Sequence, residues 1–158
     1  MVAETLAVTD RLVLRRMTSD DAAALAAYRS DPVQARYQSW ETPYSADSAL
    51  ALIAALRDVR FAQPGPWLQI AIESCGRLIG DVAVRIDGDD PRQATVGFTL
   101  AAHAQGRGFA TEALRSVMSL LFDEHGVHRR SAWWKGEWTD EYVYAVLAEE
   151  WRSENDAV

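Results

Sequence analysis

Cysteine is almost missing from this 158-residue chain, and Cys75 alone permits neither an intrachain disulfide nor a thiolate metal cluster. A surplus of basic residues is missing too. Lys and Arg number 16 against 23 Asp and Glu, a formal net charge of -7. That balance excludes the basic face on which nucleic-acid binding rests. An acidic surface can favour a cationic substrate such as an amine, although it serves solubility more often. The three histidines lack ligand spacing, so no metal site is expected. No apolar run approaches the length of a membrane span, so no membrane partner is expected. Met1–Asp10 has neither the basic start nor the long apolar stretch of a signal peptide. The default expectation is therefore a reducing, cytoplasmic compartment. Repeats, low-complexity tracts and linkers are also lacking, which predicts one domain over residues 1–158.

What is present is an ordinary globular mixture, 49% hydrophobic and 25% charged, with alternating and helical patterns in turn. Arg11–Met17 alternates, with Leu12 and Leu14 on one face, and predicts a first strand. Thr18 and Asp21 have capping-box spacing for a helix that runs through Leu25 and Tyr28. That helix should stop near Asp31-Pro32, because the residue before a proline is pushed out of the helical region. Val33–Pro43 reads as irregular, and Ser45 as the cap of a second helix carrying Ala49, Leu52, Ile53 and Leu56. After the breaker Gln63-Pro64-Gly65-Pro66 come three strands, Trp67–Glu73, Leu78–Ile86 and Ala94–Leu100. Their connections are too short for parallel crossovers, so they should form an antiparallel meander.

Gln105-Gly106-Arg107-Gly108-Phe109-Ala110 then joins the third strand of that meander to a long amphipathic helix, Phe109–Phe122. Ala110, Ala113, Leu114, Val117, Met118 and Leu121 keep helical spacing, with Gly126 as a stop. A strand, a glycine turn and a helix start present several backbone N–H groups in one direction, a cradle for phosphate oxygens. The turn lacks the three-glycine spacing of a dinucleotide fingerprint and does not open a βαβ unit. Ser131–Trp138 is rich in tryptophan and Glu141–Leu147 is strand-like.

The turn resembles the acetyltransferase motif of the GNAT superfamily, matched at Gln105, Gly108 and Ala110. Gly97-Phe98-Thr99-Leu100 before it and Thr111-Glu112-Ala113 after it fit the same pattern. Thr9-Asp10-Arg11-Leu12-Val13-Leu14-Arg15 and Trp133–Tyr142 are similar to the start and end of the ribosomal-protein N-terminal acetyltransferase branch, the RimJ/RimL-like one. The resemblance implies an α/β (α+β) fold with a mixed, mostly antiparallel sheet flanked by helices. It implies acetyl-CoA as co-substrate and an amine as acceptor, a protein N-terminus or a small-molecule amine. By that resemblance Phe98, Thr99 and Leu100 pair with the pantetheine arm. Gln105, Gly106, Arg107, Gly108, Phe109 and Ala110 hold the pyrophosphate, and Thr111 adds a hydroxyl. A backbone N–H near Leu100 is the implied oxyanion donor. Arg36, Tyr37 and Trp40 fall where that branch shapes its acceptor pocket.

The chain also departs from the pattern. The family's strand and helix after the long helix are short of residues near 129–131, which reads as an internal deletion. The asparagine that the added helix carries has no counterpart, since Asn155 is the only one in the chain. The acid that relatives place before the glycine turn is Thr95 here. Asp81 and His103 remain as candidate bases, Asp81 with a sheet-bracing role as its alternative, and Tyr142 as a candidate acid with packing as its alternative. Trp133, Trp134 and Trp138 line an acceptor site or build an aromatic face. Two rivals to the enzyme stay open. One is a catalytically degenerate CoA-binding protein. The other is a homodimeric scaffold in which the Trp133–Leu147 hairpin swaps between chains.

Overall fold

The protein's structure, a computed structural model, describes residues 3–36 and 38–124. Five strands form one sheet: β1 (Thr5–Val8), β2 (Val13–Arg16), β3 (Trp67–Ser74), β4 (Arg77–Ile86) and β5 (Ala94–Leu100). They lie in chain order, each antiparallel to the next. The meander of β3 to β5 is as the connections require. Its first turn closes through Cys75 and Gly76, both at positive φ. β1 was not legible in the sequence; it joins the sheet by pairing Val8 with Val13 and Ala7 with Leu14. The family's strand after the long helix and the deletion near 129–131 lie outside the described residues, and the strands of the described sheet are all antiparallel.

Helices cover both faces. α1 (Ala22–Arg29) follows a 3-10 turn, Ser19–Asp21. The Asp21 carboxylate accepts from the Thr18 N–H at 2.7 Å, the capping interaction that the sequence predicted. α2 (Pro32–Ala35) replaces the irregular stretch expected there. Asp31 accepts from the Val33 N–H and Pro32 takes the first helical position, where a missing N–H is harmless. α3 (Ala46–Leu56) is capped by Ser45, whose Oγ accepts from the Ser48 N–H at 3.0 Å. α4 (Phe109–Ser119) continues into a π-helical turn, Leu120–Glu124.

Strand alternation separates the two cores. Ile70, Ile72, Val82, Val84 and Ile86 pack with Phe109, Ala113 and Val117 of α4 and with Leu121 of the turn after it. On the opposite face Leu25 and Tyr28 of α1 pack with Ala49 of α3. Asp81 is on that second face and is 2% exposed. Phe98 shares the strand face of Val96 and Leu100, yet it stands 47% exposed at the sheet edge that β5 forms among the described residues.

Candidate active site

The C-terminal end of β5, the glycine turn and the first turn of α4 lie together at one end of the sheet. β5 pairs with β4 in a register that sets Asp81 opposite Thr99 and Gly80 opposite Leu100. The Ala101 N–H donates to the Ile79 carbonyl at 2.9 Å, which fixes the alternation. Every second residue from Ala101 backwards, Thr99 and Gly97, therefore faces β4 with its N–H and C=O. Val96, Phe98 and Leu100 turn theirs to the outer edge. The Leu100 carbonyl confirms this direction by accepting from Gln105 Nε2 at 3.0 Å. Two N–H groups, those of Phe98 and Leu100, are thus aimed where an extended acyl arm can pair.

Gly80 makes the approach of β5 possible. A Cβ built there would lie 2.2 Å from the Thr99 carbonyl oxygen, a contact that no backbone relaxation of tenths of an ångström relieves. Glycine is required at this place for steric reasons and not for a left-handed conformation.

The turn itself needs two left-handed residues, Gly106 at φ 71° and Gly108 at φ 78°. Among the described residues, the amides of Gly106, Arg107 and Gly108 make no hydrogen bond. Gly108 is the N-cap of α4 and Glu112 is the first residue to bond back to it, at 3.1 Å. The amides of Phe109, Ala110 and Thr111 consequently have no intrahelical acceptor. Several N–H groups converge with the positive end of an eleven-residue helix. The guanidinium of Arg107 lies over the Phe109 ring, 4.9 Å from its centroid. A groove of about 630 Å³ opens beside the turn, lined by Thr9, Arg11, Gly108, Thr111, Glu112, Arg115, Ser116 and Ser119.

Some expected contacts fall elsewhere. The Gln105 N–H is engaged by the Ala102 carbonyl, and its side chain braces Leu100, so Gln105 builds the cradle without adding an amide to it. Thr99 is 6% exposed with its backbone turned to β4, which leaves it no group for a ligand at the edge. The Phe109 ring is core, and only its amide is presented.

Asp81 accepts from Arg29 Nη2 at 2.8 Å and from the Tyr28 hydroxyl at 3.1 Å. Burial pushes its carboxyl above the ordinary value, and the Arg29 guanidinium and the Tyr28 hydroxyl pull it part of the way back. Arg29 is desolvated as well, but the Asp81 charge outweighs that and raises it, so the guanidinium stays cationic. Burial and the Asp81 charge hold Tyr28 as a neutral phenol, well above its ordinary value. A carboxylate enclosed in this way joins α1 to β4, and it has no open path to an acceptor amine. The bracing role, not the base, is what its surroundings support.

His103 is exposed in the short turn Ala102–Ala104, directly after β5. It borders a second groove of about 690 Å³ together with Arg15, Asp21, Glu73 and Arg77. This groove is the larger of the two, but Arg15, Asp21 and Glu73 on its wall are bonded to one another. The smaller groove meets the glycine turn at Gly108 and Thr111, and neither groove is lined by Phe98 or Leu100. Trp40 donates its indole N–H to the Arg29 carbonyl at 2.9 Å, and Arg29 lies over its ring at 4.2 Å. Arg36 is exposed, while Tyr37 and Tyr142 lie outside the described residues, as do the tryptophans from Trp133 onwards. Among the described residues no cluster of His, Cys, Asp and Glu can hold a metal ion, and no helix is long and apolar enough to cross a membrane.

Sequence reasoning passed over Arg11 as a site residue. Its guanidinium reaches Glu112 in α4 and the Arg107 carbonyl in the turn. The signal was present in the first-strand segment, but nothing local links it to a turn 96 residues away.

Known proteins resemble this chain in sequence and in fold. The family model described as an acetyltransferase (GNAT) domain matches residues 11–136. A relative from Bacillus licheniformis named uncharacterized N-acetyltransferase p20 is 28% identical over 130 residues, 82% of this chain and 72% of its own. Among solved structures, a putative ribosomal-protein-serine acetyltransferase from Vibrio cholerae superposes with a TM-score of 0.64 at 23% identity, covering 77% of this chain and 68% of that one. The Microcin C7 self-immunity acetyltransferase MccE, solved with acetyl-CoA and AMP, superposes with a TM-score of 0.63 at 18% identity, covering 76% of this chain and 67% of that one. At these identities the structural likeness establishes the fold.

Proposed function

Because this chain belongs to the GNAT acetyltransferase family, we propose that it transfers acetyl from acetyl-CoA to a primary amine by direct attack in a ternary complex. The observation that carries the reading is the convergence at one sheet end of two groups of donors. The outward N–H groups of Phe98 and Leu100 are one, and the amides from Gly106 to Thr111, unpaired among the described residues, are the other. The turn suits a pyrophosphate because its amides and the helix dipole favour dispersed negative charge. Arg107 adds a cation beside it. The β5 edge suits the pantetheine arm, whose amides can pair with an open strand as another strand would.

The chemistry then follows from position. The amine nitrogen attacks the thioester carbonyl and its C–N bond forms as the carbonyl π pair moves to oxygen. The Leu100 N–H donates to that oxyanion, an interaction stronger in the transition state than in the bound thioester. Collapse breaks the C–S bond, and the departing CoA thiolate takes up the proton that the new C–N nitrogen sheds. An alkyl amine has a pKa of about 10.4, so it must lose a proton before attack. His103 is the exposed imidazole nearest in sequence to the end of β5 and is our candidate for accepting it. The acceptor pocket is assigned to the side of the sheet that α1 covers, where Trp40 meets Arg29. A protein N-terminus or a small amine are the acceptor classes, the former in keeping with the RimJ/RimL-like segments.

The test is release of free CoA thiol from acetyl-CoA with a panel of peptides and small amines. Amine-dependent thiol release supports the reading. Binding of acetyl-CoA without release on any acceptor would replace it with the degenerate CoA-binding protein.

A further inference from the structure

Arg11 stands in the turn between β1 and β2, yet its side chain is engaged at the glycine turn and the start of α4. Its Nη1 donates to the Arg107 carbonyl at 2.9 Å. Its Nε donates to Glu112 Oε2 at 2.7 Å, and its backbone N–H to Glu112 Oε1 at 3.2 Å. Its guanidinium also covers the Phe109 ring at 4.6 Å. Thr9 fastens the same carboxylate, its hydroxyl donating to Glu112 Oε1 at 2.5 Å.

The consequence lies in one peptide plane. A trans peptide carries its C=O and the following N–H in opposite directions. Arg11 holds the Arg107 carbonyl toward itself, and the Gly108 N–H in the same plane must therefore point the other way. Without that hold the Arg107–Gly108 plane, with glycine on one side of it, can rotate more readily, and a carbonyl in the cradle would repel a phosphate. Glu112 presents a related hazard, a carboxylate in the first turn of the helix that would repel the anion. Thr9 and Arg11 draw it aside and neutralise it.

Resting on the acetyl-CoA reading above, we propose that Arg11 is a positioning residue, which aims the Gly108 amide at the cofactor pyrophosphate by fixing the Arg107–Gly108 peptide. It acts through two directed hydrogen bonds and not through its charge alone. A hydrogen bond to a charged group is worth about ten- to a hundredfold in affinity. That is the range expected when this amide is lost to the phosphate.

The experiment titrates CoA into the isotopically labelled full chain and follows the amide resonances, with calorimetry for the dissociation constant. In the wild type the Gly108 amide should move strongly on binding. Arg11→Gln should weaken CoA by about ten- to a hundredfold and remove the Gly108 response. Arg11→Lys keeps the charge but cannot span Glu112 and the Arg107 carbonyl together. It should remain weak, and it carries the test if the glutamine variant does not fold. Wild-type affinity in Arg11→Lys would overturn the proposal in favour of simple charge attraction, and affinity within about twofold of wild type in Arg11→Gln would overturn it outright. Failure of the wild type to bind CoA would overturn the acetyl-CoA reading itself, a result distinct from either.

Discussion

Arg29 and Asp81 are both buried, and each is the other's charge partner. Removing one member of such a pair leaves a buried charge uncompensated, at a cost of about 3–5 kcal/mol. Asp81→Asn is therefore expected to lower the stability of the folded chain by that amount in urea unfolding. Replacing both by apolar residues, Arg29→Met with Asp81→Leu, should recover most of it. Loss of activity at unchanged stability would point back to Asp81 as a base. Asp21 behaves in the opposite electrostatic sense. Its burial disfavours the charge, but Arg15 and the Thr18 N–H more than reverse this and hold the carboxyl below the ordinary value. Its contribution is then complete above the ordinary carboxylate range and is lost as pH falls through it. Glu112 adds a smaller share of the same sign, held down by the Thr9 hydroxyl and by Arg11. Asp81, raised by burial, contributes most in acid and less as pH rises past the ordinary carboxylate value. Asp21→Asn should accordingly flatten the acid limb of stability below about pH 5, read from urea midpoints. An acid limb as steep as that of wild type would contradict this assignment.

The elements that build the cradle make separate demands on Gly80 and Gly108. At Gly80 a methyl group would meet the backbone of β5, so Gly80→Ala should cost at or beyond the upper end of about 1–3 kcal/mol, with a displaced β5 edge. At Gly108 the nearest atom to an added Cβ is Arg11 Nη2 at 3.4 Å, which can yield, and the cost is the left-handed backbone, about 1–2 kcal/mol. Gly108→Ala should thus keep its fold and lose CoA affinity, while Gly80→Ala should lose both; thermal melts beside calorimetric titration separate the two. β3, β4 and β5 were legible because each buries an alternate face, and the caps at Thr18 and Ser45 because hydroxyl and carboxylate side chains announce helix starts. β1 was not, since Thr5–Val8 is short and no residue of it is fully buried. α2 was hidden because Asp31-Pro32 signals the end of one helix as readily as the start of another.

At the scale of the molecule, the sheet gathers segments distant in the chain at one end: the Thr9–Leu12 turn, the end of β5 and the start of α4. The glycine pattern disclosed the cradle in the sequence because left-handed residues at a helix entry are a local requirement. The inward turn of Gln105, the burial of Thr99 and the hold of Arg11 were not legible, since each depends on a register or a contact across elements. The Arg11–Glu112 pair is half exposed on the arginine side. Exposed pairs contribute about 0.2–1 kcal/mol. Its weight in stability is therefore small beside its weight in shaping the cradle. The most direct test of the central claim is to map amide shifts on adding acetyl-CoA to the full chain. The largest changes should fall on Phe98, Leu100 and the amides from Gly106 to Thr111. Changes centred instead on Arg15, Glu73 and Arg77 around the larger groove, or none at saturating acetyl-CoA, would contradict it.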